Sequence, residues 1–250
     1  MQQMYNANTP IHHQIDRAAR DEYVARWAVE WAATRGLHKG RVVIWGCGDG
    51  VAASVFAGAE WNVIGIVRSS TKVSVARSGA FPHDPRIPLV EGDLRCGLAV
   101  ESGLLAIALG DTLNCLVTFD ELKIGWQTLA HSITAGGYVV ADVSTPYAYA
   151  SVWDGRHIIT ADREDLLVVN RLRYSSTTRI ARERVLWFAR VNESEEWQRG
   201  SETRQQRAHS DAEMIAALES SGLVLVEHFT LHDELPRDAA TRIIYIARKE

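Results

Sequence analysis

The sequence is poor in cysteine and has no long apolar run, and neither charge sign dominates it. Three cysteines in 250 residues, Cys47, Cys96 and Cys115, are odd in number and widely spaced. That excludes a disulfide framework and a zinc-ligand pattern, and fits buried thiols in a reducing compartment. No stretch approaches the ~18 apolar residues of a membrane span. The N-terminal MQQMYNANTPIHHQ lacks the basic start and apolar core of a secretory signal. The expectation is therefore a soluble cytoplasmic protein. A formal net charge of −4 argues against a general nucleic-acid or anionic-membrane binder. There is no internal repeat, no low-complexity segment and no metal-ligand cluster.

What is present reads as one large α/β domain with an insertion. Residues 14–35 place Ile15, Ala19, Tyr23, Trp27 and Trp31 at i, i+4 steps, an amphipathic helix stopped by Gly36. RVVIW (41–45), NVIGIV (62–67), IPLVEGD (87–93), LNCLVTF (113–119) and GGYVVADV (136–143) are short apolar runs separated by helical segments. That spacing predicts a parallel sheet with helices on both faces. From about 156 to 209 the residues are β-branched, aromatic and partly alternating, which predicts antiparallel strands. Ser210 and Glu213 then form a capping box for a helix ended by Gly222, and two last strands follow, LVLVEHFTL and TRIIYIARK. The predicted division is an N-terminal helical cap over 1–36, a core of 37–149 with 210–250, and a lid or dimerisation insertion over 150–209.

Chemistry enters at Gly46, Gly48 and Gly50, in the turn after the first predicted strand. Glycines there let a backbone approach a ligand, and the helix start beyond favours electron-rich groups. The spacing is GxGxG rather than the dinucleotide fingerprint GxGxxG. From the turn alone, a ligand cradle and a tight turn with close helix packing both remain open.

The order of segments carries more. GCGDG (46–50), VIGIVRSSTKVSVAR (63–77), VEGDL (90–94), LVTFDEL (116–122), LAHSITAGGYVVADV (129–143) and HSDAEMIAALESSGLVLVEHF (209–229) resemble, in order, the motifs of the class I S-adenosylmethionine-dependent methyltransferases. The resemblance spans roughly 37–146 and 207–248. It implies a Rossmann-like three-layer sandwich with a seven-stranded mixed sheet, and a small-molecule methyltransferase of secondary metabolism. It assigns cofactor contacts to Gly46, Cys47, Gly48, Asp49, Gly50, Arg68, Ser69, Asp93, Leu94 and Phe119, with Asp93 at the adenine amino group. Asp120 and Glu121, after the segment matching the fourth strand, stand where the family places groups facing the substrate; acids at a helix start also suit the dipole. Tyr5, His12, Tyr147 and Trp153 are the candidate substrate contacts.

Two positions depart from the family. The carboxylate usual two residues before the first glycine is Ile44, and the one that holds both ribose hydroxyls is Val67. A carboxylate gives a cis-diol two charge-assisted hydrogen bonds, and each lost one costs about 1.5–3 kcal/mol. Three consequences stand side by side. Neighbouring polar groups compensate for weakened S-adenosylmethionine binding; Arg68 accepts a phosphorylated nucleotide; or the scaffold no longer transfers methyl groups and serves as a cyclase, a pericyclase or a silent partner subunit. The insertion adds Arg171, Arg173, Arg179, Arg182, Arg184 and Arg190. These suit either an anionic substrate or a solvated face paired to Glu183, Glu193, Glu195 and Glu196. The expected partners are a small-molecule substrate and a second subunit joined through the insertion, with neither nucleic acid nor membrane.

Overall fold

Apolar runs bounded by turns become strands, and the strands form two sheets. The computed structural model describes residues 17–48, 50–68, 87–97, 100, 102–190, 196–230 and 239–250. Helix α1 (Arg17–Thr34) leads to β1 (Arg41–Trp45), α2 (Val51–Gly58), β2 (Asn62–Val67), β3 (Leu89–Glu91), β4 (Gly103–Ala108), α3 (Phe119–His131) and β5 (Ile133–Ser144). After a short helical segment over 146–153 come β6 (His157–Arg163), β7 (Leu166–Ser175), β8 (Ile180–Arg190) and β9 (Trp197–Arg207). The chain ends with α4 (Asp211–Glu219), β10 (Leu223–Thr230) and β11 (Arg242–Lys249).

The main sheet has seven strands in the order β10-β11-β5-β4-β1-β2-β3. Strands β1 to β5 run parallel, and β11 is antiparallel to both β5 and β10. The first strand shows why such runs are continuously apolar: alternate side chains enter opposite layers. Val42 and Ile44 join α1 and α2 in one core cluster, and Val43 and Trp45 join α3 and α4 in the other. Trp45 is nearly fully buried, and its indole N–H donates to Ser132 Oγ at 2.9 Å, so the large ring is packed without an unmet donor.

Two expectations need correction. The fourth strand is GLLAIA (103–108), not LNCLVTF (113–119). GLLAIA is itself a continuous apolar run; it pairs in parallel with both β1 and β5, and its alternate side chains are buried in the two core clusters. In the later segment Leu113 and Leu116 turn inward from a 3₁₀ turn. Asn114 leaves the strand pattern altogether, its side-chain amide exchanging hydrogen bonds with the Ser144 backbone at 3.0 Å each way. Helix α1 also buries a different stripe from the one expected. Val24, Ala25, Ala28, Trp31 and Ala32 face the sheet, while Tyr23 is exposed. The small alanines let the helix lie close, and Ile15 is outside the described residues.

The insertion is a four-stranded antiparallel sheet, β6-β7-β8-β9. Its inner end rests on a small core of Tyr149, Val152, Trp153, Leu172, Ala181 and Ala208. Glu213 fastens it. That residue completes the capping box of α4 with Ser210, and its carboxylate takes both Arg179, at 2.7 and 2.8 Å, and Arg207, at 2.9 Å. Partial burial opposes the charge, but the Ser210 and Arg179 hydrogen bonds win and bring its pKa down to about 2. A depressed carboxylate stabilises the fold above its unfolded pKa, and that stability is lost as pH falls toward the folded value. Glu213→Gln should therefore cost about 1–3 kcal/mol at neutral pH. In urea melts the gap between wild type and variant should close as pH falls from about 4.5 toward 2.

Candidate active site at the carboxyl rim of the sheet

The chain leaves β1 toward β2 on one side, while β4 lies on the other, so the strand order reverses between β1 and β4. In open α/β sheets ligands bind at the carboxyl ends of the strands beside such a switch point. The glycine turn lies there. Gly46, Gly48 and Gly50 have φ of 68, 60 and 86°, the left-handed region that costs a side-chain-bearing residue roughly 1–2 kcal/mol. Cys47 is buried between them, its N–H still on the sheet ladder through Ile66 O at 2.9 Å.

The glycines are not equivalent. A Cβ on Gly46 would fall on Thr112 Oγ1, so this glycine lets the turn after β4 close against the turn after β1. A Cβ on Gly48 would meet nothing nearer than Gly46 O at 3.7 Å. Gly48 thus leaves its backbone open to a ligand. Asp49 and Ser69, with Tyr5 and His12, lie outside the described residues.

The two departing positions are now concrete. Ile44 and Val67 are 1% and 2% exposed and belong to the same core cluster as α1 and α2. Neither side chain can accept a hydrogen bond. Arg68, just beyond, is exposed. Asp93 is present after β3, but Arg95 engages both of its oxygens, at 3.0 and 2.5 Å, and this pairing holds its pKa below the usual carboxylate range. Leu94 is buried, its carbonyl accepting from Thr128 Oγ1 at 2.9 Å.

Moving the fourth strand moves its rim. Asp120 and Glu121 open α3 instead of ending a strand. Glu121 completes a capping box with Thr118, and Asp120 pairs with Lys123 at 2.8 Å. Phe119, the first residue of α3, is partly buried under the Lys123 ammonium. The acid that follows β4 is Asp111, which sequence reasoning passed over, and it belongs to a buried cluster. Arg242, at the start of β11, forks onto Asp142 of β5 at 2.7 and 2.6 Å. It also reaches Asp111 and Ser144 Oγ, both at 2.8 Å. Ser144 Oγ in turn donates to Asp111 at 2.7 Å. Burial disfavours the arginine's charge, but Asp111 and Asp142 outweigh it and raise its pKa above the ordinary value.

Helix α1 closes the cluster from above. A Cβ on Gly110 would stand 3.0 Å from Asp21 Oδ2, and Arg20 Nη2 holds the same carboxyl at 3.0 Å. Burial raises the Asp21 pKa, with nearby Asp142 adding to the rise and Arg20 opposing it. At the switch point there is thus a carboxyl with partial solvent access that takes up a proton more readily than an ordinary aspartate. Tyr149 and Trp153 stack edge to face behind it at 5.0 Å. Tyr149 is fully buried and donates to Gln206 at 2.8 Å. Trp153 is buried on the insertion side of the rim, and Tyr147 stands exposed beside it.

With this geometry in place, likeness to solved structures is informative. A methyltransferase of Clostridium acetobutylicum that depends on S-adenosylmethionine superposes with a TM-score of 0.77 at 16% identity, covering 98% of this chain and 99% of that one. The amino pentose methyltransferase of Micromonospora echinaspora, solved with S-adenosylmethionine bound, gives 0.70 at 18% identity over 98% and 99%. A sugar N-methyltransferase of Streptoalloteichus gives 0.73 at 18% over 93% and 88%. The fold is that of the class I S-adenosylmethionine-dependent methyltransferases. No protein-family model and no curated protein sequence matches the chain.

Two variants separate the roles of the glycines. Gly46→Ala must push Thr112 aside as well as hold a left-handed backbone, so it should lose more than about 2 kcal/mol in a urea melt. Gly48→Ala meets the backbone term alone and should lose roughly 1–2 kcal/mol.

Proposed function

We propose that the chain is an enzyme acting on a small molecule in secondary metabolism, built on the methyltransferase fold and holding S-adenosylmethionine weakly. The observation that carries this reading is the match over most of the length of both chains, insertion included, to methyltransferases, among them an amino pentose and a sugar N-methyltransferase. The cofactor fits the site only in part. The open backbone at Gly48 fits a group lying against it, whereas the ribose position meets Val67 and the other expected carboxylate position Ile44, and these do not fit. When bound, the cofactor supplies an electrophilic methyl group.

The chain's own contribution is shape and placement. Gly46, Cys47, Gly48 and Gly50 form the floor of this pocket, Asp93 and Leu94 one edge, and Arg68 the outer side. Phe119, Asp120 and Glu121 stand at the opening of α3, where Asp120 and Glu121 face the substrate side of the rim. Tyr147 and Trp153 wall the substrate under the insertion, which serves as a lid or dimer contact. A second reading draws on the same two residues. Ile44 and Val67 are integrated in the core rather than left as gaps, as suits a descendant that has given up methyl transfer for cofactor-free cyclisation or for supporting a partner subunit.

Calorimetric titration with S-adenosylhomocysteine, alongside Val67→Asp checked for folding by circular dichroism, decides between them. The proposal expects weak, saturable binding by the wild type and at least tenfold tighter binding by Val67→Asp, as a restored pair of charged hydrogen bonds predicts. Absence of binding by both proteins up to about millimolar ligand would sink the methyltransferase reading and leave the cofactor-free one.

A further inference from the structure

The insertion sheet carries a second feature, away from the rim. On its two central strands Arg171 lies opposite Arg184, and Arg173 opposite Arg182. Residues two apart on a strand share a face, so four guanidinium groups form a two-by-two block, about 5 Å across the strands and about 7 Å along them. All four residues are exposed. Among the described residues none of them pairs with a carboxylate; the polar contact in the block is Arg173 Nη1 donating to Leu172 O.

The rows extend without an acid. His157 lies beside Arg171, Thr203 beside Arg184 and Gln205 beside Arg182. The alternation RLR in β7 and RER in β8 sends the acids to the other face. There Glu183 accepts from Asn170, and Glu202 holds Arg204. That other face also carries Leu172 and Ala181, which pack on Tyr149 and Trp153. The arginines therefore look away from the core.

Like charges directly opposite one another weaken a strand pair. Here two such pairs are adjacent, in a chain whose net charge is −4. A small anion is normally held in a concave site, and this is an exposed sheet face, the shape of a protein-docking surface. The next residues along the same face are Val169, Leu186 and Phe188. A helix with acids at i and i+4 spaces their Cβ atoms about 5–6 Å apart, commensurate with the arginine grid, and arginine forks donate to such carboxylates bidentately. An apolar stripe beside those acids would meet Val169 and Phe188. The same face of a second copy would set arginine against arginine. We propose that the face bearing Arg171, Arg173, Arg182 and Arg184 docks an acidic amphipathic helix of a partner protein.

The test titrates the full chain, by fluorescence anisotropy, with a labelled helical peptide carrying glutamates at i, i+4 along one stripe and leucines on the next. Inorganic pyrophosphate and phosphatidylserine vesicles run in parallel. The expected result is saturable peptide binding that weakens at least tenfold between about 50 and about 300 mM NaCl. It should weaken at least tenfold again in the double variant Arg171→Ser, Arg184→Ser, whose melting midpoint is not lowered. Failure of the peptide to bind, or binding indifferent to the double substitution, overturns the proposal. So does pyrophosphate binding as tightly as the peptide, vesicle binding where the peptide does not bind, or an oligomer that the double substitution dissociates.

Discussion

Arg242 is the hinge of this structure's electrostatics. A guanidinium cannot shed its proton in a protein, so once β11 carries it into the sheet it must find negative charge there. Asp142 on the neighbouring strand and Asp111 after β4 provide it. The resulting knot joins β4, β5 and β11 at their rim ends. Ser144 bonds to the knot and, through its backbone, to Asn114. Asn114 in turn holds the last carbonyl of β9, Arg207 O, at 2.9 Å. The core, the rim and the root of the insertion are thus tied by one buried polar network, in which removing any charged member strands the others away from water.

Around that network the two halves of the rim differ in chemistry. On the β4–β5–β11 side it is ionic and hydrogen-bonded, and α1 adds Arg20 and Asp21. On the β1–β2 side the positions where the sequence resemblance expects carboxylates hold Ile44 and Val67, each part of the apolar cluster beneath α1 and α2. Burying a Val or Ile side chain contributes about 1.5–3 kcal/mol. Exchanging a ligand-facing acid for such a residue therefore adds to stability while removing a ligand contact. Under the proposed function, that trade weakens a bound cofactor without disturbing the fold.

Much of the fold was legible in the sequence, because parallel strands buried on both faces must read as short apolar runs. β1, β2, β5, the four insertion strands, the capping box of α4 and the last two strands follow from pattern and turn chemistry. The fourth strand did not, since LNCLVTF is nearly as apolar as GLLAIA and only pairing with β1 and β5 separates them. With the fourth strand at 103–108, Asp111 is the acid that follows it, while Asp120 and Glu121 begin α3. Asp142 and Arg242 were missed for a related reason: Asp142 is a lone charge inside an apolar strand and Arg242 opens another, and their partnership across two strands 100 residues apart in sequence appears only in three dimensions. A charge in a buried strand does announce that a partner exists. The glycine turn was visible from spacing, but only the surroundings distinguish Gly46, needed for Thr112, from Gly48, open to a ligand.

The measurement that bears most directly on the central constraint is a double-mutant cycle between Arg242 and Asp142, using Arg242→Met and Asp142→Leu in urea unfolding at neutral pH. Each single variant should lose about 3–5 kcal/mol, because each leaves a buried charge with its partner gone. The double variant should lose less than their sum by about 2–3 kcal/mol. Additive losses would contradict a network centred on Arg242 and reduce the two residues to independent packing positions.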